Sequence, residues 1–302
     1  MSAGSRVPRA PAGNDHSVRF DAEPPAGGGA VGGGAAGGGV RNQLPPQTAV
    51  VNATVAHDNI GVSADLEGAY ATFFQRPLTP QQKQAVAFML EREATPYHGQ
   101  YGGIICNEVG TGKTATCLST IYLADKVFGL AAADGGAACR RSGLTIIVAP
   151  ASAVHTWKDE VERHLLPGAL NCLLFHGDNP AARLRDLERL IKDLDVIITS
   201  YGLVTKLMTK AELLSRRGVV RIVLDEAHAI RNANTVTSRM VGAMLRDLRR
   251  RLSHGEPEIR RWCVTATPIW NRVDDMFPRV EVSGWQPLDE RVEWTRFLRQ
   301  RF

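Results

Sequence analysis

The chain has no run of eighteen apolar residues, so nothing in it is expected to span a membrane and no membrane partner is expected. Its N-terminus carries arginines without an apolar segment behind them, which argues against a secretory signal. The five cysteines, at 106, 117, 139, 172 and 263, form no Cys-x-x-Cys pair anywhere. That excludes a zinc site and a disulfide framework from the expectations and fits a reducing compartment. Cys106 and Cys263 fall in strand-like runs and read as small buried hydrophobes. No internal repeat is visible, which removes solenoids and propellers.

What is abundant at the start is glycine and proline. Residues 26–39 read AGGGAVGGGAAGGG, with prolines at 8, 11, 24, 25, 45 and 46 around them. Such a stretch has too little apolar surface to offset its ordering entropy, so 1–62 reads as a disordered low-complexity tail and 63–302 as the folded part. The net charge of +5 suits a nucleic-acid partner and suits an ordinary basic protein equally well.

Within the folded part, apolar runs of strand length alternate with segments of helical period, the pattern of parallel βαβ units. The fold class is therefore α/β, a mainly parallel sheet flanked by helices, with strands expected at 103–107, 144–149, 171–175, 195–199, 219–225 and 261–266. Three stripes at helical spacing are expected to face the core: Val154, Trp157, Val161 and Leu165; Leu184, Leu187, Ile191 and Leu194; Val236, Met240, Met244 and Leu248. Residues 131–143 (AAADGGAACRRSG) read as a surface loop. The arginines at 246, 249, 250 and 251, with Arg260 and Arg261, read first as a solvated helix face and second as a DNA contact.

Two segments carry chemistry. Asn107-Glu108-Val109-Gly110-Thr111-Gly112-Lys113-Thr114 follows the apolar run Gly103–Cys106 and precedes a helix-like stretch. Strand, tight glycine loop and helix N-terminus together form a cradle for phosphates. Gly110 and Gly112 let the backbone curl toward phosphate oxygens, Lys113 supplies a point charge, and the Thr114 hydroxyl is suited to Mg²⁺. The loop departs from the strict pattern at its first glycine, which is Asn107. About a hundred residues on, the buried-strand pattern Val219–Leu224 ends in Asp225-Glu226-Ala227-His228. Asp225 there is placed to reach the metal and Glu226 to polarise an attacking water. The cofactors expected are ATP and Mg²⁺.

Thr79, Pro80 and Gln82 make a capping box at the start of a helix. Gln82 has a second reading of equal weight, an amide that hydrogen-bonds the adenine edge. Strand ends near Ser152, Thr199 and Ser200 place short hydroxyls where phosphate-backbone contacts occur. Thr265 and Thr267 end the last strand, where their hydroxyls are suited to link the carboxylates and His228 to a nucleic-acid face.

Taken in order, these segments resemble the first RecA-like lobe of a superfamily-two helicase-like ATPase of the SWI/SNF type. Leu78–Gln82 matches the family's L-x-P-x-Q adenine motif, and residues 102–114 (GGIICNEVGTGKT) resemble its phosphate-binding segment. IIVAPASAVHTW (146–157), VIITSY (196–201), RIVLDEAHAIRN (221–232) and VTATPIWN (264–271) are similar to its later motifs. QKQAVAFMLERE (82–93) is most similar to the subgroup of helicase-like transcription factor and RING-carrying post-replication repair translocases. The resemblance implies a P-loop RecA-like lobe, ATP hydrolysis coupled to double-stranded DNA in chromatin remodelling or DNA repair, nucleosomes as a further partner, and a nuclear location. No second lobe or RING cysteines are recognised in the 302 residues, so the expectation is one lobe with weak turnover. The alternative is a truncated fragment that binds ATP or DNA without turnover. An RNA helicase fits less well, because Thr265-Ala266-Thr267 stands where that group has Ser-Ala-Thr.

Overall fold

The computed structural model describes residues 74–95, 100–127, 143–251 and 258–267, together with 70, 276, 279, 281, 282, 292 and 296. The expected tail, most of the 131–143 loop and the motif residues 268–271 lie outside these. In chain order the elements are α1 (Pro80–Ala94), β1 (Gly102–Ile105), α2 (Lys113–Tyr122), β2 (Leu144–Ala149), α3 (Val154–His164), β3 (Cys172–Phe175) and α4 (Pro180–Leu190). They continue with β4 (Val196–Ser200), α5 (Val204–Met208), α6 (Ala211–Arg217), β5 (Val219–Leu224), α7 (Val236–Arg250) and β6 (Arg260–Val264).

The six strands form one sheet in the order β1-β6-β5-β2-β4-β3, and every pairing within it is parallel. A parallel sheet is covered on both faces, which is why its strands read as continuous apolar runs rather than alternating ones. Ile147, Ala149, Ile198, Val223 and Val264 point into a core beneath α1, α2 and α3. Their neighbours Ile146, Val148, Ile197, Leu224 and Cys263 point into a second core beneath α4 to α7. The period of two along each strand assigns each residue to its layer.

The α3 stripe is as expected, with Val154, Trp157, Val161 and Leu165 all buried. The α7 stripe is not. Val236 is 64 % exposed, and the buried set is Val241, Met244, Leu245 and Leu248. A strict four-residue repeat drifts by about 40° per step on a helix of 3.6 residues per turn, so Val236 has rotated off the face that Leu248 occupies.

At the amino ends of the strands lies a buried ionic cluster. Arg221, at the start of β5, donates from Nε to Glu93 Oε1 at 2.6 Å and from Nη1 to Asp125 Oδ2 at 3.2 Å and Thr145 Oγ1 at 2.9 Å. Trp262 Nε1 donates to Glu93 Oε1 at 2.9 Å. Burial works against both charges here. It pushes the Asp125 carboxyl above the ordinary range, while the Arg221 guanidinium holds it back, and the two carboxylates hold Arg221 charged.

Candidate nucleotide site

The glycine loop leaves β1 at Cys106, earlier than the expected strand end, and re-enters regular structure at Lys113. Gly110 and Gly112 take left-handed backbone angles, φ 82° and φ 78°, which side-chain-bearing residues rarely adopt. Gly112 is also the α2 N-cap, and a Cβ there would lie 2.1 Å from Gln82 Nε2. The left-handed backbone is what favours glycine at 112, and a side chain there would also push the Gln82 amide off the loop. Lys113 Nζ curls back over the loop and donates to the carbonyls of Asn107 at 3.1 Å and Glu108 at 2.9 Å. Thr111 Oγ1 donates to Glu108 O at 2.9 Å. Thr114 is half-buried in the first turn of α2, and Val109 at the loop tip is 82 % exposed.

Gln82 serves the helix and the loop at once. Its Oε1 accepts from Thr79 N at 2.9 Å and its backbone N–H donates to Thr79 Oγ1 at 3.3 Å, which completes the capping box. Its Nε2 donates to Thr111 O at 3.0 Å, so the same side chain ties α1 to the glycine loop.

Asp225 follows β5 directly, and its backbone N–H donates to Val148 O of β2 at 2.8 Å, which fixes where the strand ends. Its Oδ2 accepts from Trp157 Nε1 at 2.7 Å and its Oδ1 from the Glu226 amide at 2.9 Å. Its carbonyl accepts from Tyr201 Oη at 2.8 Å. Burial pushes the Asp225 carboxyl above the usual aspartate range, and the bonds from Trp157 and Glu226 N, with the charge of Lys113, hold it back. Cys263 of β6 pairs with Ile104 of β1 on one side and with Leu224 of β5 on the other, so the glycine loop and Asp225, far apart in sequence, leave the same edge of the sheet. Glu226 has φ 47° and ψ 50°, a left-handed conformation that costs energy for a glutamate. Its Oε2 lies 3.0 Å from His228 Nδ1.

Other expected residues are placed less directly. Thr265 is buried, its amide donates to Ile105 O, and its Oγ1 accepts from Thr267 N at 3.2 Å, so the pair closes a local turn beside the glycine loop. Ser152 is exposed after β2. Thr199 and Ser200 are corrected as surface contacts: both are buried, and Thr199 Oγ1 donates to Phe175 O at 3.0 Å, which spends the hydroxyl inside the sheet. The arginines at 246, 249 and 251 are matched by acids, Arg249 with Glu258 at 3.0 Å, Arg251 with Asp247 at 3.2 Å and Arg246 with Glu281 at 3.8 Å, as a solvated face would be. Arg260 and Arg261 are corrected: both are buried at the start of β6. Cys263 is buried in β6 as expected, whereas Cys106 lies just past β1 and is only partly buried. Desolvation pushes the Cys106 thiol up to about 11 and those of Cys172 and Cys263 up to about 12, which makes them poor nucleophiles.

Sequence reasoning misses the two side chains that hold Asp225. Trp157 reads as part of a core stripe, and Tyr201 only marks a strand end. The usable signal is chemical: a buried indole N–H or phenol needs a partner, and both stand just beyond strands that end at the same sheet edge.

Comparison with known proteins agrees with this geometry. Residues 81–302 match the SNF2-related domain. The chain is 28 % identical over 249 residues to the DNA repair protein RAD5 of Candida glabrata, covering 71 % of this chain and 20 % of that protein. It is 30 % identical over 224 residues to the probable global transactivator of Orgyia pseudotsugata multicapsid polyhedrosis virus, covering 72 % and 37 %. The chain thus spans well under half the length of these relatives. Among solved structures, the SWI2/SNF2 ATPase core of Sulfolobus solfataricus in complex with dsDNA superposes with TM-score 0.50 at 21 % identity, covering 70 % of this chain and 37 % of that one. The fold is that of a RecA-like lobe, and the chain belongs to the SNF2-related domain family.

Proposed function

We propose that this chain is the ATP-binding lobe of a DNA-dependent ATPase that moves along double-stranded DNA in chromatin remodelling or DNA repair, in the nucleus and with nucleosomes as a further partner. The observation that supports the reading is a held, buried carboxylate, Asp225, at the same sheet edge from which the glycine loop runs into the N-terminus of α2. The donor set fits the cofactors: a hydroxyl and a carboxylate are the hard oxygen ligands Mg²⁺ prefers, and an ammonium beside a left-handed glycine turn suits phosphates.

In this reading residues 107–114 cradle the phosphates, with Lys113 turning from the Asn107 and Glu108 carbonyls to phosphate oxygens. Thr114 and Asp225 hold Mg²⁺, whose charge offsets that developing on the phosphates. Glu226 orients the attacking water and accepts its proton. Gln82 reads the adenine edge with the N–H that its bond to Thr111 leaves free. His228, Thr265 and Thr267, next to the carboxylates and the loop, couple the site to DNA. Ser152 and the backbone N–H groups around it contact DNA phosphates.

Contacts of that kind carry no base sequence. Random duplexes should bind within a few-fold of one another, with log affinity falling linearly in log salt by roughly 0.9 per phosphate neutralised. A strong preference for one sequence, or affinity indifferent to salt, contradicts the proposed DNA edge.

A further inference from the structure

The carboxylate at the end of β5 is held more firmly than a free strand end would hold it, and by residues from outside the two nucleotide-binding segments. Trp157 is 1 % exposed, and its indole N–H ends on Asp225 Oδ2 at 2.7 Å, a length typical of a bond to a charged acceptor. The other oxygen takes the Glu226 amide. With one donor on each oxygen the carboxylate cannot rotate, yet each oxygen retains a lone pair for a cation.

The backbone is held as well. Immediately after Asp225 the chain turns into the left-handed conformation of Glu226. Tyr201, 8 % exposed in the turn after β4, puts its hydroxyl 2.8 Å from the Asp225 carbonyl. Strain of this kind persists only where the surroundings over-determine it.

We propose that Trp157 and Tyr201 are positioning residues for the metal-holding carboxylate, Trp157 by fixing the rotation of the Asp225 carboxylate and Tyr201 by fixing the strained strand end beneath it. The inference rests on the nucleotide-site reading above. Partners that orient a metal ligand change metal affinity by about 10–100-fold when removed. Bonds that only satisfied buried polar atoms would change stability and leave the metal dependence alone.

The test is equilibrium binding of a fluorescent ATP analogue to the full chain, in Mg²⁺ and in EDTA, with melting followed by circular dichroism. Trp157→Phe should weaken Mg²⁺-dependent binding by roughly 10-fold or more and leave affinity in EDTA unchanged. Tyr201→Phe, which keeps the ring and its packing, should shift the same ratio in the same direction by a smaller factor, and it carries the test if Trp157→Phe does not fold. In an Asp225→Ala background neither substitution should alter the ratio further. Equal losses with and without Mg²⁺, an unchanged ratio, or an effect that persists in Asp225→Ala overturns the proposal. If the unmodified chain binds the analogue without any Mg²⁺ dependence, the nucleotide-site reading fails first and takes this inference with it.

Discussion

The two ends of the sheet use charge in opposite ways. At the amino ends, Arg221, Glu93 and Asp125 are buried and bonded to one another. At the carboxyl ends, Lys113 is bonded to carbonyls of its own loop, and the Glu226 and His228 side chains stay about one-third exposed. Matched, dry charges hold a structure and have nothing left to offer a ligand. Charges parked on backbone groups can exchange those partners for phosphates or a metal. In the proposed reading the end of the sheet that takes a ligand is not the end with more charge, but the end whose charges rest on exchangeable partners.

This contrast can be broken by substitution. With a second lobe supplied, Glu226→Gln should keep nucleotide binding but lose about 10²–10⁴ in turnover, as expected for a residue that acts on the water only during reaction. Its melting temperature should barely move. Arg221→Met should do the reverse, destabilising by about 3–5 kcal/mol because Asp125 and Glu93 stay buried after losing the cation they share, with Arg260 at 3.6 Å from Glu93 offsetting only part of the loss. Chemical denaturation measures this, and a loss under about 1 kcal/mol would mean the cluster is not the structural one. Gly112→Ala acts on the glycine loop itself, straining the left-handed cap and displacing the Gln82 amide; a cost of about 1–3 kcal/mol and weakened nucleotide binding are expected together. Thr79→Ala removes half the capping box and should cost about 1 kcal/mol, read from the same denaturation curves.

Much of the contrast was legible in the sequence, and its gaps have physical causes. The expected strands all exist, each within about two residues of its observed bounds, because a parallel sheet buried on both faces writes itself as apolar runs. Ends shifted where local bonding intervened: Thr265, expected in the last strand, instead turns back to bond Thr267. The glycine loop and Asp225 leave the same edge of the sheet, as the order of the two motifs on parallel strands implies. What stayed hidden were partners set by tertiary contact. Arg221 sits inside an apolar run and pairs with Glu93, 128 residues away, so no local pattern announces it. Trp157 has the spacing of a core residue and is one; its bond to Asp225 depends on how α3 lies against β5. Thr199 follows the same logic in reverse, a hydroxyl at a strand end that the neighbouring strand consumes.

The central claim is that the carboxyl end of the sheet is an ATP–Mg²⁺ site. Equilibrium binding of a fluorescent ATP analogue to the unmodified chain and to Lys113→Ala tests it most directly. Saturable Mg²⁺-dependent binding to the first, lost in the second while both melt alike, is the result the account predicts. Equal binding by both proteins, or none by either, would contradict it.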